Sequence, residues 1–310
     1  MNRNTPARRR PGRRAAVAAG LALAVGLGVS TQAAAQAAVP APAKASVKAS
    51  AALRSVSGFN GDMVTQVADF YGAYIDAKVD AADPDTALVK ALRAHYLAPT
   101  FAKRLAAWEK KNKADGLLRA QSVPVDWTVS EGGSGLEVVV TLTFGGGESP
   151  TTTTRLVVKQ EPTGGITDIR TKGITRGKAS AKASTAVRSI SGRTGDSVTR
   201  VADFYGAYID AKDGAADPDT ALVKALRAHY LAPTFAKRLA AWEKKNKADG
   251  VLRAQSVPVD WTVSEGRNSR EIAVTHAFGG GETPTVWTNL VVELEPVFGD
   301  VTDIRTASAR

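Results

Sequence analysis

Along "GDMVTQVADFYGAYIDAK" (residues 61–78) apolar side chains fall at Val64, Val67, Ala68, Tyr71, Tyr74 and Ile75. That three-and-four spacing is one face of a helix. The next stretch, "DPDTALVKALRAHYL" (83–97), opens on Asp83 as an N-cap with Pro84 at the first helical position, so a second helix is predicted. "APTFAKRLAAWEKKNKADG" (98–116) repeats the device with Pro99. Phe101, Leu105 and Trp108 supply its buried face, lysines fill its last turns where the helix dipole favours cations, and Gly116 is the expected stop. The period then becomes two. "VDWTVSE" (125–131), "LEVVVTLTF" (136–144), "TTTTRLVVKQ" (151–160) and "GITDIR" (165–170) are Thr- and Val-rich strands. The glycines of "GGGESP" (145–150) permit a hairpin, and with neither a Lys-Ser/Thr pair nor a following helix they make no phosphate cradle. Three helices followed by an antiparallel sheet of about four strands predict an α+β domain whose helices cover one sheet face.

The whole pattern occurs twice. Residues 51–170 align with 185–305 at an offset of 134, gaining one residue near the "TDIR" strand. Each unit is domain-sized, so two tandem domains with separate cores are expected. The two copies have not drifted evenly. Residues 81–116 and 118–132 are unchanged in the second copy, including the polar turn Lys110, Lys111, Asn112 and Lys113. Packing does not demand identity at exposed positions, where substitutions usually cost less than about 0.5 kcal/mol. Recent duplication, or homogenisation of the copies, explains the identity; a helical face that binds one partner twice also explains it. The sheet has meanwhile changed. "EVVVTLTF" against "EIAVTHAF" puts Val138/Ile272, Val140/Val274, Leu142/His276 and Phe144/Phe278 on one face, so a histidine enters an otherwise apolar row.

Composition changes this picture at the chain's start. Arg3, Arg8, Arg9, Arg10, Arg13 and Arg14 precede the apolar "AAVAAGLALAVGLGVS" (15–30), and "AQA" (35–37) offers small residues for cleavage. Residues 1–37 therefore read as a signal peptide of an exported protein, too short in its apolar run to span a bilayer and with no integral membrane span after its removal. The chain has no cysteine, which excludes disulfides and an N-terminal lipid anchor on Cys. The net charge of +11 suggests nucleic acid, but its distribution does not. Residues 51–170 carry 13 basic and 14 acidic side chains, and 185–305 carry 15 and 16. The excess lies in the signal and in two Ala/Lys-rich tracts, 38–50 and 171–184, which are expected to be flexible linkers, with 306–310 a tail.

"VADFYGAYIDAK", "ADGLLRAQSVPVDWTV" (114–129) and the strands ending "TDIR" resemble a family of exported bacterial domains of unknown function. The matching positions are Phe70, Tyr71, Asp115, Gln121 and Trp127, and again Phe204, Tyr205, Asp249, Gln255 and Trp261. Members often carry Asp after the Gln; this chain has Ser122 and Ser256 there. The resemblance implies a cone of helices on a curved sheet, similar to nuclear-transport-factor-like domains, and no established reaction.

Candidate chemistry is sparse. No nucleophile–base set or metal-ligand spacing stands out among His95, His229 and His276, so neither a metal nor a cofactor is expected and enzymatic activity is not predicted. In a cone-like domain a Tyr hydroxyl and a buried carboxylate can move a proton, which singles out Tyr71, Tyr74 and Asp76; aromatic core packing is the plainer reading. Tyr71, Tyr74, Gln121, Trp127, Tyr205, Tyr208, Gln255, Trp261 and His276 are candidate ligand-binding residues. The basic ridge Lys103, Arg104, Lys110, Lys111 and Lys113, with Lys237, Arg238, Lys244, Lys245 and Lys247, is a solvated helix face or a contact for envelope polyanions presented twice. The expected function is an exported tandem binding protein at the cell envelope or outside it, its partner a polymer or protein; the alternative is a hydrolase or isomerase using a cavity in one copy.

Overall fold

The computed structural model describes residues 54–80, 86–146, 149–176, 188–213, 220–280, 283–297 and 299–307. The expected signal peptide and the tract 38–50 lie outside these residues. The first copy runs β1 (Ser55–Phe59), α1 (Met63–Val79), α2 (Ala87–Tyr96), α3 (Pro99–Asn112), β2 (Asp126–Glu131), β3 (Glu137–Gly146), β4 (Ser149–Gln160) and β5 (Ile166–Arg176). The second runs β6 (Ser189–Arg193), α4 (Ser197–Lys212), α5 (Ala221–Tyr230), α6 (Pro233–Asn246), β7 (Asp260–Glu265), β8 (Glu271–Gly280), β9 (Thr283–Leu294) and β10 (Val301–Thr306). Three helices and a sheet per copy match the sequence pattern, and the class is α+β.

The strands are distributed otherwise than expected. The two antiparallel sheets have five strands each, in the orders β5-β4-β3-β2-β6 and β1-β7-β8-β9-β10. The first strand of each copy thus sits in the other copy's sheet: β6 pairs with β2 and β1 with β7. Two glycines make the exchange possible. A Cβ on Gly58 would stand 2.5 Å from the Trp261 indole, and one on Gly192 2.5 Å from that of Trp127. The tryptophans are buried under strands of the opposite copy. Two separately cored domains were expected from the repeat; Ala51–Arg310 forms one compact unit, and its buried apolar residues form a single cluster.

Helices α1 and α4 form the seam. Asp62 and Asp196 cap them, each carboxylate accepting the N–H of a Thr three residues on. Val64, Val67, Ala68, Tyr71, Tyr74 and Ile75 are buried as the periodicity requires, and so are Asp69, Gly72, Ala73 and Asp76 on the rest of the helix surface. That second face packs on α4, where the Asp69 carboxylate fills the space beside Gly206 and Asp203 that beside Gly72. Tyr96 donates to Asp210 at 2.7 Å and Tyr230 to Asp76 at 2.9 Å, both across the seam. Each contact has a counterpart with the copies interchanged, the pattern of an isologous interface.

Three local expectations change. Helix α2 is capped by Thr86, whose hydroxyl accepts from Val89, and Asp83 and Pro84 lie outside the described residues. Helix α3 stops at Asn112 because Lys113 takes the left-handed conformation (φ 53°); Gly116 is instead needed for room, a Cβ there meeting Leu105 at 2.5 Å. Residues 171–176 of the expected linker continue β5 along β4, so Lys172 and Arg176 sit on a strand. Residues 177–184 are outside the described residues. No helix among the described residues is long and apolar enough to cross a membrane.

Candidate functional site

The residues that join α3 to β2 build a cavity in each copy. Left-handed Lys113 turns the chain, and Gln121 holds the turn by donating to the Lys113 carbonyl at 3.1 Å. Asp115 organises the segment between them: its Oδ1 accepts the N–H groups of Leu117 and Leu118 at 2.9 and 3.0 Å. Its Oδ2 accepts the Tyr74 hydroxyl at 2.7 Å and lies 3.1 Å from Lys78. Arg93 clamps both oxygens of Glu109 at 2.9 and 2.6 Å and donates to Tyr74 at 2.7 Å. The open cleft they border, about 570 Å³, is lined by Lys78, Arg93, Glu109, Lys113, Asp115 and Gln121, with Ser122 and the apolar Leu118, Ala120 and Val123.

The second copy has the same cavity, about 410 Å³, with Lys212, Arg227, Glu243, Lys247, Asp249, Gln255 and Ser256 in the corresponding places. Tyr208 donates to Asp249 at 2.8 Å, and Gln255 to the Lys247 carbonyl at 3.3 Å. Burial pushes the Asp249 carboxyl up, but the Leu252 N–H, Tyr208, Lys212 and Arg227 together hold it below the usual carboxylate range. All eleven lining residues are identical between the copies.

A third cavity, about 600 Å³, lies at the seam. Asp76, Asp80, Arg200, His229 and Asp300 line it. Arg200 donates to Asp80 at 2.7 Å, approaches Asp300 at 3.8 Å and Asp76 at 3.9 Å, and stacks over Tyr230 at 4.9 Å. His229 Nε2 stands 3.3 Å from Asp80. Burial raises Asp76 to about 6 against the pull of Arg200 and the Tyr230 bond. Where Arg200 stands in the second copy, the first has Gln66, which accepts from Gln160 at 2.8 Å; Gln160 in turn corresponds to Leu294. Of the residues around this cavity only Asp76 was singled out from sequence.

The other candidates are dispersed. Tyr71 and Tyr205 are fully buried and donate to the backbone carbonyls of Leu117 and Val251 at 3.2 and 3.3 Å. Tyr74 and Tyr208 do not line the twin cavities and touch them through the lining residues Asp115 and Arg93, and Asp249 and Arg227. Gln121 and Trp127 do not share a wall, since Gln121 is exposed at the cavity while Trp127 lies under the exchanged strand; Gln255 and Trp261 behave alike. His276 is buried among core rings and lines none of these three cavities. On the basic ridge Lys103, Lys110 and Lys111 are exposed, as are Lys237, Lys244 and Lys245. Arg104 and Arg238 instead tie α3 and α6 to the carbonyls of Thr167 and Thr302, at 2.7 and 2.8 Å, and Lys113 and Lys247 belong to the cavities.

No family model matches the chain, and no curated protein matches it. Among solved structures, the chain is similar to a protein of unknown function from Bacteroides thetaiotaomicron, at 19% identity and a TM-score of 0.32 over 35% of this chain and 88% of that one. A peroxisomal multifunctional enzyme type 2 from Drosophila melanogaster aligns at 12% identity with a TM-score of 0.14, over 81% of this chain and 47% of that one.

Proposed function

We propose that the chain is an exported binding protein with two equivalent ligand sites, the cavities behind Lys113 and Lys247. The observation that supports it is the identity of every lining residue in copies whose sheets have diverged. Duplication alone preserves sequence everywhere at first; a site used twice preserves the residues that touch the ligand while strands farther along each copy, β3 and β4 against β8 and β9, change. The test is native mass spectrometry of the protein taken from its own secretion medium. Two small molecules per chain are expected, and none on a Ser122→Trp/Ser256→Trp variant that fills both cavities. A polymer retained equally by that variant would instead assign binding to the lysine ridge.

One observation favours a second reading, a hydrolase or isomerase acting in one copy. The seam cavity offers Asp76, poised near neutral pH, beside Tyr230, His229 and Arg200, whose place in the first copy is taken by Gln66. On this reading Asp76→Asn abolishes turnover of the secretion-medium ligand while the circular dichroism spectrum is unchanged; undiminished turnover removes it.

A further inference from the structure

The twin cavities present charges of both signs, but the negative ones are already occupied. Asp115 holds Leu117, Leu118, Tyr74 and Lys78, and Glu109 holds Arg93 on both oxygens and the Gly116 N–H at 2.8 Å. In the second copy Asp249 and Glu243 are engaged in the same way. Among the described residues the side chains of Lys113 and Ser122, and of Lys247 and Ser256, have no hydrogen-bond or ion-pair partner, and these are donors. The end of α3 opposes them with the negative pole of its dipole, about half a charge. Three carbonyls near that end are engaged: Trp108 accepts from the Asn112 side chain, Glu109 from the Lys113 N–H and Lys113 from Gln121. Lining charge is three cations against two carboxylates in each cavity, so the unspent capacity is positive.

We infer that each cavity takes an anionic oxygen group, a carboxylate or a phosphate ester, on a small polar molecule. Lys113 and Ser122 hold the anion in one copy, Lys247 and Ser256 in the other, with Leu118, Ala120 and Val123 against its carbon skeleton. This inference rests on the two-site reading above and narrows it to one ligand class. Charge-assisted hydrogen bonds of this kind are screened by salt, so affinity falls as ionic strength rises.

The test is a backbone amide NMR titration of the full chain with glucuronate and with glycerol 2-phosphate, each against its neutral analogue, glucose or glycerol. Saturating shifts are expected at Gln121, Ser122, Gln255 and Ser256 with an anion, and the acid that binds tells carboxylate from phosphate. In Lys113→Ala/Lys247→Ala the affinity falls by about tenfold, the equivalent of about 1.4 kcal/mol. Glucose or glycerol saturating the same amides equally would overturn the anion assignment and leave the two-site reading standing. Unchanged affinity in the double variant, or no saturation by either anion, would overturn it as well.

Discussion

His276 stands in a row of apolar side chains, its ring 5.1 Å from that of Tyr205 and 6.0 Å from that of Phe278. It is fully buried, and neither ring nitrogen finds a well-aligned hydrogen-bond partner among the described residues. Burial pushes its pKa down to about 4, against smaller upward contributions from the Leu252 backbone and Asp249. Leu142 fills the same place in the first copy without these costs. His276→Leu is expected to raise the unfolding free energy by about 1–3 kcal/mol, read from the denaturant midpoint. Because the unfolded histidine binds a proton near pH 6.5 and the folded one near 4, wild-type stability from this group falls as pH drops through that window. The variant loses that dependence; a variant weaker than wild type at pH 7 would show that the imidazole has a partner. The row itself was legible from the strand's period of two. That the histidine would be neutral was not, because its burial depends on Tyr205, 71 residues away in the chain.

Helices α1 and α4 meet where carboxylates face glycines. A methyl at Gly72 or Gly206 overlaps the carboxylate of Asp203 or Asp69, both of which are buried. Gly72→Ala is therefore expected to destabilise by about 1–3 kcal/mol despite alanine's better helix propensity, with Asp203→Ala recovering part of the loss in a double-mutant cycle. Additive effects would place the Gly72 contact elsewhere. Burial also raises Asp69 and Asp203 well above the carboxylate range, Asp210 to about 7 and Asp76 to about 6. In each case the folded state holds a proton that the unfolded state has released, so stability is greatest at low pH and is lost as pH rises through the folded values. Lowering the pH from about 8 to about 6 should raise the unfolding midpoint, with His276 opposing only below about 6.5. Asp210→Asn should flatten the curve, and an unchanged slope would mean that Asp210 is ionised in the fold. Helical periodicity disclosed one face of α1. The other is not apolar by sequence, carrying Asp69, Gly72 and Asp76, and only a partner helix with matching glycines makes it interior.

At the scale of the molecule, the seam and the exchanged strands join the copies more extensively than the linking chain does. If a specific protease site is placed between residues 177 and 187 and cut, the halves should elute together and unfold in one transition followed by circular dichroism. Two separable fragments, each retaining its helical signal, would restore the independent domains that the repeat suggested. The three helices and the four strands after them in each copy were readable from periodicity, as was the buried row of each third-in-line strand; the leading strands β1 and β6 were not. The exchange was not. "SVSGF" and "SISGR" are short, and their partner strand "DWTVSE" is identical in both copies, so pairing within a copy and pairing across copies leave the same residues opposite one another. The twin cavities were partly visible, in Gln121, Gln255 and the two lysines; Arg93 and Glu109 became part of them only when two helices brought them together.

The glutamine pair of one half and the arginine of the other show what a tandem chain permits. Two separate identical subunits meeting about an axis would carry any change at that position twice, and an arginine introduced against one acidic pocket would appear against both. Written into a single polypeptide, the position has two spellings, Gln66 and Arg200. One flank keeps a neutral amide pair while the other acquires an ionic pocket, so the molecule can specialise one side without surrendering the pair of matched clefts on which its halves still agree.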